Sequence, residues 1–303
     1  MTKQRTPELV YWASNSMPHH VLDRAEAVGP GGYAAMSCMV GDLAAWEDSG
    51  RSIADLRREL DAREVRVTTI DPYLAWYPGF DPEHPTGVAA KHREHLVMTE
   101  EKLFRWAEAL GAVHVSTLGT FDGPAVPFDE AVEALGGFAD RAAAHGIRPH
   151  LEQIPTTKVH DLDDALAFVR AVDRPNLGLL LDTYNLGRAG VPPQELDAVP
   201  LELVFQLQLA DGEGLEDGAD YFADAFNRRT LPGEGSFPDV EMIAALARQG
   251  PLPPMGPEVL NPELHALAPR EAGPLAAAAT RRFLREVHEL AGVEAVGGAE
   301  HDG

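Results

Sequence analysis

The sequence contains one cysteine, Cys38, which excludes an internal disulfide and is typical of a protein from a reducing compartment. It has 25 basic against 48 acidic residues, a formal net charge of −23, and no basic cluster that could bind the phosphates of a nucleic acid. No stretch approaches the roughly 20 apolar residues that span a bilayer. The first ten residues lack the apolar segment of a secretory signal. The sequence predicts a cytoplasmic protein with no nucleic-acid or membrane partner.

Short apolar segments rich in β-forming residues alternate with amphipathic segments along the 303 residues. Predicted strands cover Leu9–Ser14, Ala34–Val40, Val65–Ile70, Val113–Leu118, Ile147–Glu152, Leu177–Asp182, Leu203–Leu209 and Met255–Leu260. The clearest predicted helices cover Ser52–Arg63, His92–Leu110, Asp129–His145, Leu162–Val172, Pro238–Arg248 and Gly273–Leu290, with Asp161 as an N-cap and Pro238 as a first helical residue.

Strands that are apolar throughout indicate a parallel sheet covered on both faces. Eight such units favour a single (β/α)8 TIM barrel over residues 1–290. A doubly wound sheet is the main alternative, but Ser14 is followed by Asn-Ser-Met-Pro and not by a G-x-G-x-x-G loop. We expect residues 291–303 to form a disordered tail.

Polar residues lie at the ends of four consecutive predicted strands. These residues are Glu152, Asp182, Gln208 and Glu258. In a barrel, catalytic groups lie at the carboxyl ends of the strands, and converging carboxylates need a cation to offset their repulsion. Alternatively, each acid caps the following helix or pairs with an arginine. The set predicts a divalent metal site, and its all-oxygen ligands favour Mn²⁺ or Mg²⁺ over zinc.

Four stretches resemble the xylose-isomerase-like TIM-barrel superfamily of sugar phosphate isomerases and epimerases. They are HLEQIP (150–155), LLLDTYNLGRAG (179–190), LQLADG (207–212) and NRRTLPGEGSFP (227–238) followed by GPEVLN (256–261). The resemblance implies the same four metal ligands. It also implies that Arg229, just before the P-G-E-G loop, holds a substrate oxygen or phosphate; a salt bridge is the alternative.

One residue departs from the pattern of that family. Many relatives have a histidine at the position of Asn185, and asparagine can bind a hydroxyl group but cannot carry a proton near neutral pH. Glutamine as the third ligand also occurs in the related 3-dehydroshikimate dehydratases, so a dehydratase remains an alternative. His150, on the same side of its strand as Glu152, is either a further base or a buried core histidine.

These features favour a metal-dependent isomerase or epimerase that abstracts a proton beside the carbonyl of a sugar-like small molecule. Glu152 and Glu258 are the expected acid–base pair. Tyr73 and Trp76 are expected either to cover the barrel mouth and bind substrate or only to pack. A non-catalytic binding barrel and a homo-oligomeric state both stay open.

Overall fold

The computed structural model describes residues 2–214 and 220–296. Its strands are β1 (Thr2–Arg5), β2 (Val10–Tyr11), β3 (Ala35–Met39), β4 (Val67–Tyr73), β5 (His114–Leu118), β6 (Arg148–Glu152), β7 (Gly178–Asp182), β8 (Val204–Leu209), β9 (Met255–Pro257) and β10 (Val293–Val296). Strands β2 to β9 pair in parallel in chain order, which confirms the predicted barrel. Strands β1 and β10 form a separate parallel pair.

Helices connect the barrel strands and surround them. They are α1 (Val21–Ala25), α2 (Val28–Gly31), α3 (Val40–Asp48), α4 (Ile53–Asp61), α5 (Gly87–Lys91), α6 (Arg93–Leu96), α7 (Glu100–Leu110), α8 (Phe128–Ala144), α9 (Leu162–Val172), α10 (Thr183–Arg188), α11 (Pro193–Leu196), α12 (Tyr221–Ala225), α13 (Asp239–Ala247), α14 (Pro262–His265) and α15 (Pro269–Ala291). Short 3₁₀ helices cover Ala13–Ser16 and Leu201–Leu203. Within the described ranges, we find no helix with the length and apolarity needed to cross a membrane.

The barrel closes where the last strand meets the first. Leu9 forms a parallel bridge with Met255, and the Met255 amide donates to the Glu8 carbonyl at 3.0 Å. A Cβ atom on Gly256 would lie 1.7 Å from the Val10 carbonyl oxygen. Glycine is therefore required at position 256 for this close approach of the two backbones.

Several predicted boundaries differ from the structure. The first strand ends at Tyr11, because the chain turns into the 3₁₀ helix before Ser14. The predicted helix His92–Leu110 is interrupted at Val97, which has an extended backbone, and α7 begins afresh after Thr99. The Thr99 hydroxyl accepts from the Lys102 amide at 3.3 Å, so this residue caps a new helix.

Two further predictions, one on the start of a helix and one on the end of the chain, are wrong in part. Pro238 is the N-cap of α13 and not its first residue. The prediction of a disordered tail is wrong for residues 291–296, because α15 continues to Ala291 and β10 pairs with β1. Residues 297–303 lie outside the described part of the chain. The composition of the segment that forms β10 does not indicate that it would pair with β1 through backbone hydrogen bonds.

The barrel interior contains a polar layer beneath the strand ends. The Thr69 hydroxyl and the Gln206 side chain are 3.0–3.1 Å apart, joining β4 to β8. Since side chains alternate along a strand, Gln208 lies on the same side of β8 as Gln206, one layer closer to the carboxyl end. The fold thus directs the end of β8 into the barrel mouth.

Candidate active site

The four predicted ligand residues lie at the carboxyl end of the barrel. Glu152 and Asp182 are the last residues of β6 and β7, Gln208 pairs in register with Asp182, and Glu258 directly follows β9. All four are at most 6% exposed. The structure therefore gathers them at one end of the barrel, while their role as metal ligands remains a prediction.

Arg229 lies between two of these carboxylates. Its Nη1 atom donates to Asp182 Oδ2 at 2.7 Å and to Glu258 Oε2 at 3.2 Å. The guanidinium also lies 4.5 Å from the centroid of the Tyr184 ring. Burial alone would lower the pKa of Arg229, but the carboxylates of Asp182 and Glu258 raise it. Arg229 is therefore a buried counterion of the site, and its salt bridge joins the site acids, not acids on the surface.

Asp182 both caps a helix and pairs with an arginine, the two structural roles that its position in the sequence allowed. Its Oδ1 atom accepts from the Tyr184 amide at 2.8 Å, which caps α10, and its Oδ2 atom pairs with Arg229. Capping and pairing use one oxygen each. Neither contact excludes a cation, because each carboxylate oxygen has more than one lone pair.

Neutral donors orient the two glutamates. Asn185 Nδ2 donates to Glu152 Oε1 at 2.8 Å, and the Tyr221 hydroxyl donates to Asn185 Oδ1. The Ser14 hydroxyl donates to Glu258 Oε1 at 3.0 Å. Asn185 therefore positions the Glu152 carboxyl group, a role that its amide can fill without carrying a proton.

Burial perturbs the acids of this site. It raises the pKa of Glu258 to about 8 and that of Asp71 to about 6. The pKa of Glu152 is raised well above its ordinary value by burial and by the nearby carboxylates of Glu258, Asp182 and Asp71. Buried carboxylates that converge in this way repel one another unless a positive charge lies near them.

The donor atoms of the site have the chemistry that a divalent cation requires. Gln208 Oε1 is buried and accepts no hydrogen bond from the residues that the structure describes, although Gln208 lies beside Asp182 in the sheet. An unpartnered amide oxygen with three carboxylates is a ligand set for a hard cation. Arg229 already places positive charge between Asp182 and Glu258. The oxygen atoms of these residues fit a divalent cation. For all four residues to bind one ion, the Arg229 guanidinium would have to move from its place between Asp182 and Glu258.

A second acidic group has closer spacing. In the described part of the chain, His160, Asp161 and Asp164 have potential ligand atoms within 4.8 Å of one another, whereas the three site acids are more widely spaced. Asp161 caps α9, and His160 Nδ1 lies 2.8 Å from Asp164 Oδ2. Helix capping and a surface ion pair explain this trio.

A cavity of about 130 Å³ opens above the site acids. Glu152, Glu258, Arg229, Asp71 and Ser14 line its polar end. Ser14 ends the predicted strand Leu9–Ser14 and Asp71 directly follows the predicted strand Val65–Ile70, so the criterion of polar residues at strand ends could have selected both. Tyr221, the first residue of α12, also lines the cavity, but no sequence motif marks it.

Three predicted site residues lie elsewhere. Tyr73 packs on Phe138 of α8, with ring centroids 4.7 Å apart, and Trp76 Nε1 donates to the Leu118 carbonyl at 2.7 Å. Both rings are buried among the packed elements, as the alternative interpretation proposed. His150 is fully buried, and burial lowers its pKa well below the ordinary value. The structure does not bring these side chains to the cavity wall in its described part.

Two buried aspartates hold the P-G-E-G loop near the site. Asp211 accepts from the amides of Gly235 at 2.7 Å and Phe237 at 2.9 Å. A Cβ on Gly235 would lie 2.5 Å from Asp211 Oδ1. Asp239 accepts from the Gly233 amide at 3.0 Å. The loop is thus fixed through backbone amides, which explains its glycines.

Asp239 predicts a pH dependence of stability. Burial and the nearby Asp211 raise the pKa of Asp239 to about 7. Between about pH 4 and pH 7 the unfolded chain releases this proton while the folded chain keeps it, so the free energy of unfolding should fall as pH rises. Relative to D239N, we expect a fall of at most about 4 kcal/mol. Urea denaturation of both proteins across this range measures it, and a constant difference would contradict the prediction.

Curated relatives with similar sequences carry enzyme names. The chain is 25% identical over 283 residues to a protein from Pseudomonas aeruginosa named 3-dehydroshikimate dehydratase, covering 90% of this chain and 41% of the relative. It is 28% identical over 143 residues to a protein from Halalkalibacterium halodurans named inosose isomerase, covering 46% of this chain and 49% of the relative. The chain thus matches about half or less of the length of these relatives.

Structural similarity supports the same fold. The crystal structure of the IOLI protein with a binding zinc atom superimposes with a TM-score of 0.76 at 19% identity, covering 93% of this chain and 99% of the other. At this identity the likeness shows the fold alone. Residues 22–287 match the family described as xylose isomerase-like TIM barrel. The chain therefore belongs to the xylose isomerase-like TIM barrel family.

Proposed function

We propose that the protein is a divalent-metal-dependent isomerase or epimerase of a small hydroxy carbonyl compound, acting by proton abstraction beside the carbonyl group. One observation carries the proposal: Glu152 and Glu258, from different strands, open into the same cavity and are each oriented by a separate neutral donor. Two independently positioned carboxyl groups can remove a proton and return one. The enzyme names of the curated relatives support a catalytic role.

Glu152, Asp182, Gln208 and Glu258 would hold the cation, for which Mn²⁺ or Mg²⁺ suits the oxygen ligands. When bound, it would polarise the substrate carbonyl and offset negative charge developing on its oxygen. The IOLI protein binds a zinc atom, so Zn²⁺ is tested beside Mn²⁺ and Mg²⁺.

The chain's own groups would perform the proton transfers. One glutamate removes the proton from the carbon beside the carbonyl, and the other delivers a proton to the opposite face or to the adjacent carbon. The first outcome is epimerisation and the second is isomerisation. The Arg229 guanidinium, at the same end of the cavity, would hold a substrate oxygen. Since His150 is buried beneath this layer, Glu152 and Glu258 are the better candidates for the acid–base pair.

A dehydratase is the second candidate. The relative named 3-dehydroshikimate dehydratase aligns with 90% of this chain, a longer match than that of the relative named inosose isomerase. Loss of a hydroxyl group from the carbon beside the deprotonated one requires the same first step. The product therefore distinguishes the two functions.

Deuterium incorporation from D₂O tests the proposal. The protein is loaded with Mn²⁺, Mg²⁺ or Zn²⁺ and incubated with ketoses, an inosose and 3-dehydroshikimate, and NMR follows both exchange and products. We expect metal-dependent exchange at the carbon beside the carbonyl group. Isomers or epimers as products support the first function, and an unsaturated product supports the dehydratase.

Metal analysis gives an independent measurement. We expect about one divalent ion per chain, lost in Glu258→Ala, because the acid is one of four ligands. A protein that purifies without metal, gains no thermal stability from any of the three ions and exchanges no proton would contradict the proposal. That result would favour a non-catalytic binding barrel.

A further inference from the structure

The wall of the site cavity is largely apolar away from the acids, with His92, His95 and Tyr221 as further polar lining residues. Its apolar residues follow the strand ends and include Met17, Met39, Phe121, Ile154, Phe222 and Phe226. A sugar presents hydroxyl groups on every carbon, and burying a hydroxyl group without a hydrogen-bond partner costs free energy. This wall therefore suits a substrate with an apolar part.

Aromatic rings form much of this wall. The ring centroids of Phe121 and Phe222 are 5.3 Å apart, and those of Phe222 and Phe226 are 6.4 Å apart. The His92 ring stacks on Phe226 at 6.2 Å with an interplanar angle of 7°. Phe226 lines the cavity and the residue is 39% exposed, so a ligand in the cavity can contact it. Rings at these spacings accept a further ring in an edge-on or offset position.

The size and charge of the cavity restrict the substrate further. A volume of about 130 Å³ is close to the roughly 150 Å³ of an apolar cavity that holds benzene. Among the described residues lining the cavity, Arg229 is the one lysine or arginine, and it already pairs with Asp182 and Glu258. A phosphate would also meet the carboxyl groups of Asp71 and Glu152. The charge pattern disfavours a phosphorylated sugar.

We propose that the substrate is an uncharged 2-hydroxy carbonyl compound with an aryl substituent, whose ring lies against Phe121, Phe222 and Phe226 while its oxygens face Glu152, Glu258 and Arg229. This inference rests on the proposed function and specifies its substrate class. The reaction moves a proton from the carbon bearing the hydroxyl group and returns one, so no oxidant or reductant is required.

The test compares three probes in D₂O with the metal-loaded protein: 2-hydroxyacetophenone, D-fructose and D-fructose 6-phosphate. We expect exchange at the carbon bearing the hydroxyl group of 2-hydroxyacetophenone to exceed that of both sugars, after subtraction of the protein-free rate. Phe226→Ala should raise the KM for this ketone about tenfold or more, since a stacked ring is lost. Phe128→Ala, which removes an exposed ring of α8, should leave it unchanged.

The outcomes separate this inference from the proposed function. Exchange with a sugar probe but not with 2-hydroxyacetophenone overturns the aryl substrate and leaves the proton-transfer function standing. An equal KM in the wild type and Phe226→Ala also overturns the inference. If neither these probes nor the inosose and 3-dehydroshikimate exchange a proton, the proposed function fails, and calorimetry with 2-hydroxyacetophenone then tests the substrate class. Binding of 2-hydroxyacetophenone that weakens in Phe226→Ala supports the apolar site, and no binding overturns it.

Discussion

Glu152→Gln should lower the rate of proton exchange by about 10²–10⁴-fold, the usual contribution of a general acid or base. Glutamine has the same shape and can keep an oxygen where Asn185 Nδ2 donates at 2.8 Å. The Ser116 hydroxyl, 3.4 Å from Glu152 Oε2, can accept from the new amide nitrogen. The variant therefore removes the proton carrier while preserving these two hydrogen bonds, and metal analysis of the variant shows whether the cation is still bound. Exchange measured by NMR in D₂O, with circular dichroism as a check of folding, tests this expectation.

Glu234→Gln provides the matched control. Glu234 belongs to the P-G-E-G loop but pairs with Arg282 on the surface. Exposed pairs contribute little, so this variant should retain both exchange and stability. Equal exchange in Glu152→Gln and the wild type would exclude Glu152 as a proton carrier. Equal loss in both glutamine variants would indicate a general effect on the loop or the fold.

Arg229→Met should lower the free energy of unfolding by about 3–5 kcal/mol in the presence of EDTA, because it leaves buried acids without their counterion. Asp182 is fully buried and Glu258 is 6% exposed, so water solvates these carboxylates poorly once the guanidinium is removed. Added Mn²⁺ should recover part of the loss, since it would bind the same carboxylates. Urea denaturation with EDTA and with excess Mn²⁺ measures both effects.

Arg248→Met is the control for the loss of an arginine. Arg248 pairs with Asp197 at 3.1 Å, and both side chains are about half exposed. Removing this surface pair should change stability by no more than about 1 kcal/mol, with or without Mn²⁺. A similarly small change in Arg229→Met would contradict the counterion role. A loss in Arg229→Met that Mn²⁺ does not reduce would argue against metal binding at these acids.

The sequence predicted the barrel and the gathering of four polar residues at one end of it, because both depend on local patterns. Leu179, Leu180 and Leu181 are fully buried, as an apolar run ending at Asp182 requires. Parallel strands in chain order then bring consecutive strand ends to one rim. Glu152 and Glu258 reach the same cavity for this reason.

The cavity wall could not be predicted in the same way. The pairing register of β4 shifts between Ile70 and Tyr73, so alternation along this strand does not give the direction of Tyr73, which faces α8. Phe222 and Phe226 come from the segment after β8, where no hydrophobic period indicates which rings turn inward. The Arg229 contacts depend on distances between distant elements. Such placements follow from tertiary packing and not from local sequence.

Helix α12 and its C-cap residue Phe226 contribute both to the alignment of Glu152 and to the apolar wall of the cavity. Tyr221 fixes Asn185, which holds Glu152, while Phe222 and Phe226 form the apolar wall. Asp224 on the same helix anchors it to Tyr184 by a 2.5 Å hydrogen bond. Libraries that randomise this segment to change the accepted substrate will therefore also disturb the alignment of Glu152. Keeping Tyr221 and Asp224 while varying the two phenylalanines is the route that decouples selectivity from turnover.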